Sequence, residues 1–245
     1  MNVDKFYVGN FDNDEYEDFV VTWLVGPHTV SRDPLILGPV TMYRNNGDGS
    51  FSEIQFENPK RFFPYWPTTG KFNNDELDDV VASVMMKFST CKELECTFTE
   101  GQAEVDRIPL ILSKDDGSYY DASDKIEGQE DGSTIPTFEY AHDIAVGDVN
   151  GDGYDDFFQG RHLFINDQSG VFLNETRELP PIIRDGFWIM SSTISDFNGD
   201  GYGDIVSMTA GKNPDDDPRG YVWMSSGDNF SERFLIKLGA GRYSK

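Results

Sequence analysis

The chain reads as an all-β protein built from repeated four-stranded units, and three features of its 245 residues lead there. An acidic loop of nearly constant spelling recurs along it. A short hairpin follows each copy of the loop. Apolar runs flank the loops on both sides, too short for long helices and bounded by Gly, Asn and Asp.

The loop is clearest at Asp148 to Phe157, DVNGDGYDDF, and at Asp196 to Ile205, DFNGDGYGDI. Positions one, three, five and nine are Asp148, Asn150, Asp152 and Asp156 in one copy, and Asp196, Asn198, Asp200 and Asp204 in the other. Alternate positions of a tight loop can turn their oxygens inward together, while Gly153 or Gly201 takes the sharp bend. Crowded carboxylates without a cation would raise one another's pKa, so the pattern predicts a calcium site. A standard EF-hand is excluded: its loop ends in a bidentate Glu at position twelve and sits between helices, whereas here Gln159 and Ser207 hold that position and strand-like residues follow. Two weaker copies lie upstream. NFDNDEYEDF keeps Asn10, Asp12, Asp14 and Asp18, with Glu15 in place of Gly. KFNNDELDDV keeps Asn73, Asp75 and Asp79 but opens with Lys71, whose ammonium cannot ligate a cation, so weak or no binding is expected there.

The hairpins are TMYRNNGDGSFSEI from Thr41, PLILSKDDGSYYDA from Pro109, RHLFINDQSGVFLNE from Arg161 and YVWMSSGDNFSERFL from Tyr221. Each has a short apolar strand, a turn rich in residues that tolerate positive φ, and a second strand. HDIAVGD and WIMSSTISD run into the last two loops, and FVVTWLV and VVASVMM leave the first two. One unit is therefore strand, loop, strand, connection and hairpin. The approximate repeats are 1–60, 61–137, 138–185 and 186–245, within a single domain 1–245. A four-stranded sheet cannot bury both faces alone, so the units must stack, and radial stacking into a β-propeller protects their edges.

On the four acidic loops and on hairpins such as YRNNGDGSF at Tyr43 to Phe51, the chain resembles the FG-GAP/VCBS repeat family, which includes the integrin α-subunit propeller. The resemblance implies a β-propeller with calcium held between the first two strands of a blade, by side chains at positions one, three, five and nine and a backbone carbonyl at seven. The seventh positions here are Tyr16, Leu77, Tyr154 and Tyr202. Family propellers commonly carry seven blades. About four are present, and LGAGRYSK stops where the approach to another loop is expected, so the sequence reads as a fragment of a larger ring. Closure as four blades and assembly with a second copy are the alternatives.

The formal net charge is -24, from 20 Lys and Arg against 44 Asp and Glu. That balance argues against a nucleic-acid partner, which needs clustered cations, and fits both calcium loading and a solvated acidic surface. No apolar run is long enough to span a membrane, and Met1 to Asn10 lacks the basic start and apolar core of a signal peptide. Cys91 and Cys96 read as a small-loop disulfide in preference to free thiols, which would place the protein outside the cytosol. The stretches 26–39, 87–108, 121–139 and 211–220 extend the connections as polar or Pro- and Gly-rich loops, singly spacers and together a surface for recognition.

Catalysis has little support. His28, His142 and His162 lack a nucleophile or metal partner in spacing, and Trp23, Trp66, Trp188 and Trp223 stand in strand-like positions suited to core packing. The sequence therefore predicts a noncatalytic, calcium-binding module, secreted or on the cell surface, that recognises a protein or glycan. The alternative is a propeller enzyme, a lyase or hydrolase, acting on polysaccharide.

Overall fold

The structure is a computed structural model that describes residues 2–25, 36–56, 64–84, 108–129, 142–176, 187–211 and 219–237. Its strands fall into four antiparallel sheets of four, each a meander in which consecutive strands pair. The first holds β1 (Asn2–Gly9), β2 (Asp18–Val25), β3 (Ile36–Asn45) and β4 (Phe51–Ile54). The second holds β5 (Pro64–Gly70), β6 (Asp79–Val84), β7 (Leu110–Ser113) and β8 (Tyr119–Asp121). The third holds β9 (Ile144–Gly147), β10 (Asp156–Gln159), β11 (His162–Asn166) and β12 (Phe172–Asn174). The fourth holds β13 (Phe187–Ser195), β14 (Asp204–Gly211), β15 (Arg219–Ser225) and β16 (Phe230–Lys237).

Every acidic loop joins the first strand of a sheet to its second, and every hairpin joins the third to the fourth. In the two inner sheets the second strands are apolar on both faces, because successive side chains go to opposite faces and a neighbouring sheet covers each. Phe157 packs in a core with the second sheet, and its neighbour Phe158 in a core with the fourth. The cores lie between sheets. Val20, Val40, Met42 and Ile54 meet Val80, Ile111 and Tyr119; Phe72, Val81, Leu110 and Leu112 meet Phe157, Phe164 and Phe172; Phe158 and Leu163 meet Ile205, Tyr221 and Trp223. Trp223 is fully buried, as core packing requires, and Trp66 lies under the Lys5 ammonium, 4.0 Å from its ring centre.

First strands approach most closely: β1 packs beside β5, β5 beside β9 and β9 beside β13. Glycines permit this. A Cβ on Gly70 would stand 2.6 Å from the Phe72 ring and 2.7 Å from Val146, and Gly9 and Gly147 occupy the same place before their loops. Among the described residues no comparable packing returns β13 to β1, so the four sheets form an open, propeller-like series.

The stretch 121–139, expected as a spacer, differs in its described part. Ser123–Lys125 forms a 3-10 turn, and Ile126 is fully buried and pairs in parallel with Phe172 of the third sheet. The buried Gln129 amide accepts from Ile108 N–H at 2.6 Å and donates to the carbonyls of Ile108 at 3.1 Å and Ser123 at 2.9 Å. This turn seals the joint between the second and third sheets, which would otherwise leave apolar side chains at its rim. The Cys91–Cys96 pair, His28 and the loops 26–35, 87–107 and 212–218 lie outside the described residues. No helix among the described residues is long and apolar enough to cross a membrane.

Candidate metal centres

The four loops share one scaffold whose keystone is the ninth residue. Asp18, Asp79, Asp156 and Asp204 are buried, although each opens a strand next to an exposed loop. One oxygen of each accepts the backbone N–H of loop position two: Phe11 at 2.7 Å, Phe72 at 2.9 Å, Val149 at 2.9 Å and Phe197 at 3.0 Å. The other accepts the N–H of the last residue of the third strand: Asn45 at 2.8 Å, Ser113 at 2.7 Å, Asn166 at 2.8 Å and Ser225 at 2.8 Å. The ninth carboxylate thus ties loop to hairpin, a role that spacing alone did not reveal.

The other oxygens fix the loop itself. In the third sheet the Asp148 carboxylate accepts N–H groups of Gly151 at 2.6 Å, Asp152 at 3.2 Å and Gly153 at 2.8 Å. Asn150 Oδ1 accepts from Asp152 at 3.0 Å, and Asp152 Oδ1 from Tyr154 at 2.9 Å, successive side-chain-to-backbone turns. The loop of Asp196 repeats this bond for bond with Gly199, Asp200, Gly201 and Tyr202. Gly153 and Gly201 carry the bend, at φ of 91° and 94°. The first loop keeps less of the pattern: Asn10 Oδ1 accepts from Asn13 at 2.7 Å and Asp14 Oδ1 from Tyr16 at 2.7 Å.

Spacing leads one to expect the acidic oxygens gathered round a single point. Among the described residues no three carboxylate, His or Cys side chains form such a group, because these oxygens face the loop's own amides. The donor set still fits calcium: Asp148, Asn150, Asp152 and Asp156, and their counterparts Asp196, Asn198, Asp200 and Asp204, offer hard oxygens only.

The upstream loops carry competing cations. Arg44 Nε lies 3.7 Å from Asp12 Oδ2. In the Lys71 loop the ammonium donates to the Glu76 carbonyl and pairs with Asp78 Oδ1 at 3.2 Å. Ser113 Oγ lies 2.8 Å from Asp75 Oδ2 and 2.6 Å from Asp79 Oδ1, its one proton shared between them, and Asn73 Nδ2 turns to Ser113, so the side chains at three, five and nine are engaged around a hydroxyl. Leu77 N–H donates to Asp75 Oδ1 at 3.0 Å, the same bond that Tyr154 makes.

Burial pushes the carboxyl of Asp79 up to about 7 and that of Asp156 to about 8, against amide hydrogen bonds that pull the other way; neighbouring Asp75 in one loop and Asp152 and Asp148 in the other add to the rise. Asp18 is raised by the same desolvation. At position one, loop amides hold the exposed Asp196 below its ordinary value.

The loops are also joined to one another. Asp78, at position eight, accepts Asn10 N–H at 2.7 Å while its own N–H donates to the Asn10 carbonyl at 2.8 Å. Asp155 accepts Lys71 N–H at 2.8 Å and returns its N–H to the Lys71 carbonyl at 3.0 Å. Gly203 N–H reaches the Asp148 carbonyl at 2.8 Å. Position one of each loop is thereby clamped to position eight of the next.

These features define a repeat protein of acidic-loop, four-stranded sheets. The family model of the FG-GAP-like repeat matches residues 10–82, from the first loop through the second, so the chain carries an FG-GAP-like repeat over that span. No curated protein matches it.

Proposed function

We propose that the protein is a noncatalytic, calcium-stabilised propeller module that works outside the cell or on its surface and presents its connecting loops to a protein or glycan. The observation that carries this reading is the identity of the Asp148 and Asp196 loops, equal in donor set and in internal bonding. Asp148, Asn150, Asp152 and Asp156 would hold one ion, and Asp196, Asn198, Asp200 and Asp204 a second, with the Tyr154 and Tyr202 carbonyls completing each set. Bound calcium neutralises carboxylates that burial disfavours and binds the native state alone, which stabilises it. The Asn10 loop, with Asn10, Asp12, Asp14, Tyr16 and Asp18, is weaker because Arg44 stands beside Asp12. The Lys71 loop is held by its own ammonium.

Calorimetric titration with calcium tests this reading, alongside thermal melting in calcium and in chelator. Two or three sites of about 0.1–1 mM, typical of extracellular modules, and a calcium-dependent rise in Tm are expected. Asp152→Ala and Asp200→Ala should each remove one site. Full calcium stabilisation in both variants would refute the reading. Arrays of glycans and of extracellular proteins, probed with and without calcium, then address the ligand.

A further inference from the structure

Each of the three joints between neighbouring sheets uses the same three contacts. The second residue of a loop packs against the residue that opens the fourth strand of the next sheet: Phe11 meets Tyr119 with ring centres 5.9 Å apart, Phe72 meets Phe172 at 5.3 Å, and Val149 shares a core with Phe230. The two residues after the ninth Asp, with their cross-strand partners, cover opposite faces. Val20 with Met42, Val81 with Leu110 and Phe158 with Leu163 look forward; Val80 with Ile111, Phe157 with Phe164 and Ile205 with Trp223 look back. All twelve are essentially inaccessible to solvent. Lastly, position one of a loop is clamped to position eight of the next.

The two ends of the series carry the unmatched halves of this joint. Phe197, the second residue of the last loop, is 55% exposed, whereas Phe11 and Phe72 are at 0%. Phe51, which opens β4, is 49% exposed, whereas Phe172 is at 0%. On the forward face of the fourth sheet Val206 and its partner Val222 are half-buried, as are Phe19 and its partner Tyr43 on the back face of the first. Among the described residues neither Asp196 at position one nor Glu17 at position eight has a clamp partner.

We propose that these halves form a fourth joint between two copies of this chain, the forward face of the fourth sheet of one seated on the back face of the first sheet of the other. The occupant follows from the joints already present: Phe197 supplies what Phe11 and Phe72 supply, Phe51 what Tyr119 and Phe172 supply, and the Glu17 carboxylate stands where Asp78 and Asp155 accept an amide. Two reciprocal joints close a ring of eight sheets, within the range propellers adopt, and make a heterologous contact that terminates rather than polymerises. Ser195 replaces the glycine found before the other loops, so this joint is set wider at its inner end. The inference does not depend on calcium.

Sedimentation velocity and light scattering of the purified chain test it, in calcium and in chelator, from micromolar concentration upward. Salt of about 0.15 M shortens the Debye length to ~8 Å and screens repulsion between the acidic copies. The expected mass is twice the 27.7 kDa of one chain at the higher concentrations. Phe51→Asp and Phe197→Asp should each return it to a single chain and remove any rise of Tm with concentration, because every joint needs both residues. If either aspartate variant fails to fold, the serine variant is read instead. A single-chain mass throughout for the wild type overturns the proposal. So does loss of the pair in only one variant, which would mean that a face docks on its own copy or that the occupant is something other than this joint.

Discussion

Replacing Asp156 by Ala separates the architectural role of the ninth loop position from cation binding. The carboxylate is fully buried and accepts two amide hydrogens, from Val149 at 2.9 Å and from Asn166 at 2.8 Å. Its removal leaves two buried N–H groups without acceptors, at about 1–3 kcal/mol each. Burial has already pushed this carboxyl up to about 8, so removing it relieves part of that strain. The expected loss is therefore in the lower half of the range, about 2–4 kcal/mol in chelator, or a fall in Tm of about 4–16 °C for a chain of this size. Asp152→Ala is the control, because among the described residues its oxygens accept from the Tyr154 amide and the Asn150 and Gln168 side-chain amides, all at the loop surface. It should cost under about 1 kcal/mol in chelator. In calcium at a hundredfold excess over Kd the wild type gains about 2.7 kcal/mol per site. Asp152→Ala should lose that gain at its own loop, and Asp156→Ala should lose it on top of the chelator deficit. Circular dichroism melts of the three proteins in chelator and in saturating calcium give all six values. An Asp156→Ala protein that melts with the wild type in chelator would refute the keystone role.

Three further outcomes are expected. Lys71→Asp removes the ammonium bound to Glu76 and Asp78 and should add one calcium per chain in calorimetry while lowering Tm in chelator; an unchanged stoichiometry counts against the view that Lys71 holds the loop in place of an ion. Gly70→Ala forces a Cβ to 2.6 Å from Phe72 and 2.7 Å from Val146, and should cost about 1–3 kcal/mol through overpacking, read as a lower urea midpoint; no shift would show that the inner strands are free to separate. Asp79 and Asp156 titrate near 7 and 8 when folded against about 3.9 when unfolded, so the stability they contribute is complete below pH 4 and lost as pH rises through 7 to 8. Carboxyls held low, such as those of Asp48, Asp116 and Asp167, act below that window. The chelated protein should therefore melt at lower temperature as pH goes from about 5 to about 8.5, with calcium flattening the trend, and a Tm that rises with pH would contradict it.

The elements themselves were legible from the chain because their causes are local. Asp and Asn at alternate loop positions make side-chain-to-backbone turns two residues long, Asp48, Asp116 and Asp167 bond the amide of the Ser two residues on, and strands show as apolar runs between such turns. The obstructing Lys71 was equally visible, since an ammonium in place of a ligand is a matter of residue type. What the ninth Asp does was not visible: its second amide donor lies 27 residues away at Asn45, 34 at Ser113, 10 at Asn166 and 21 at Ser225. The clamp between loops joins Asn10 to Asp78 across 68 residues and Lys71 to Asp155 across 84. The sealing turn at Ser123 to Gln129 looked like a polar spacer because its apolar residue, Ile126, finds its partner only when Phe172 of the next sheet is brought beside it. Sequence by itself determined the strands, the turns and the oxygen chemistry of the loops, all set within a few residues by φ preference and side-chain reach. Tertiary structure alone decided which face of each sheet is covered, which carboxylate is buried and which loop touches which, since those follow from packing distant segments and removing them from water.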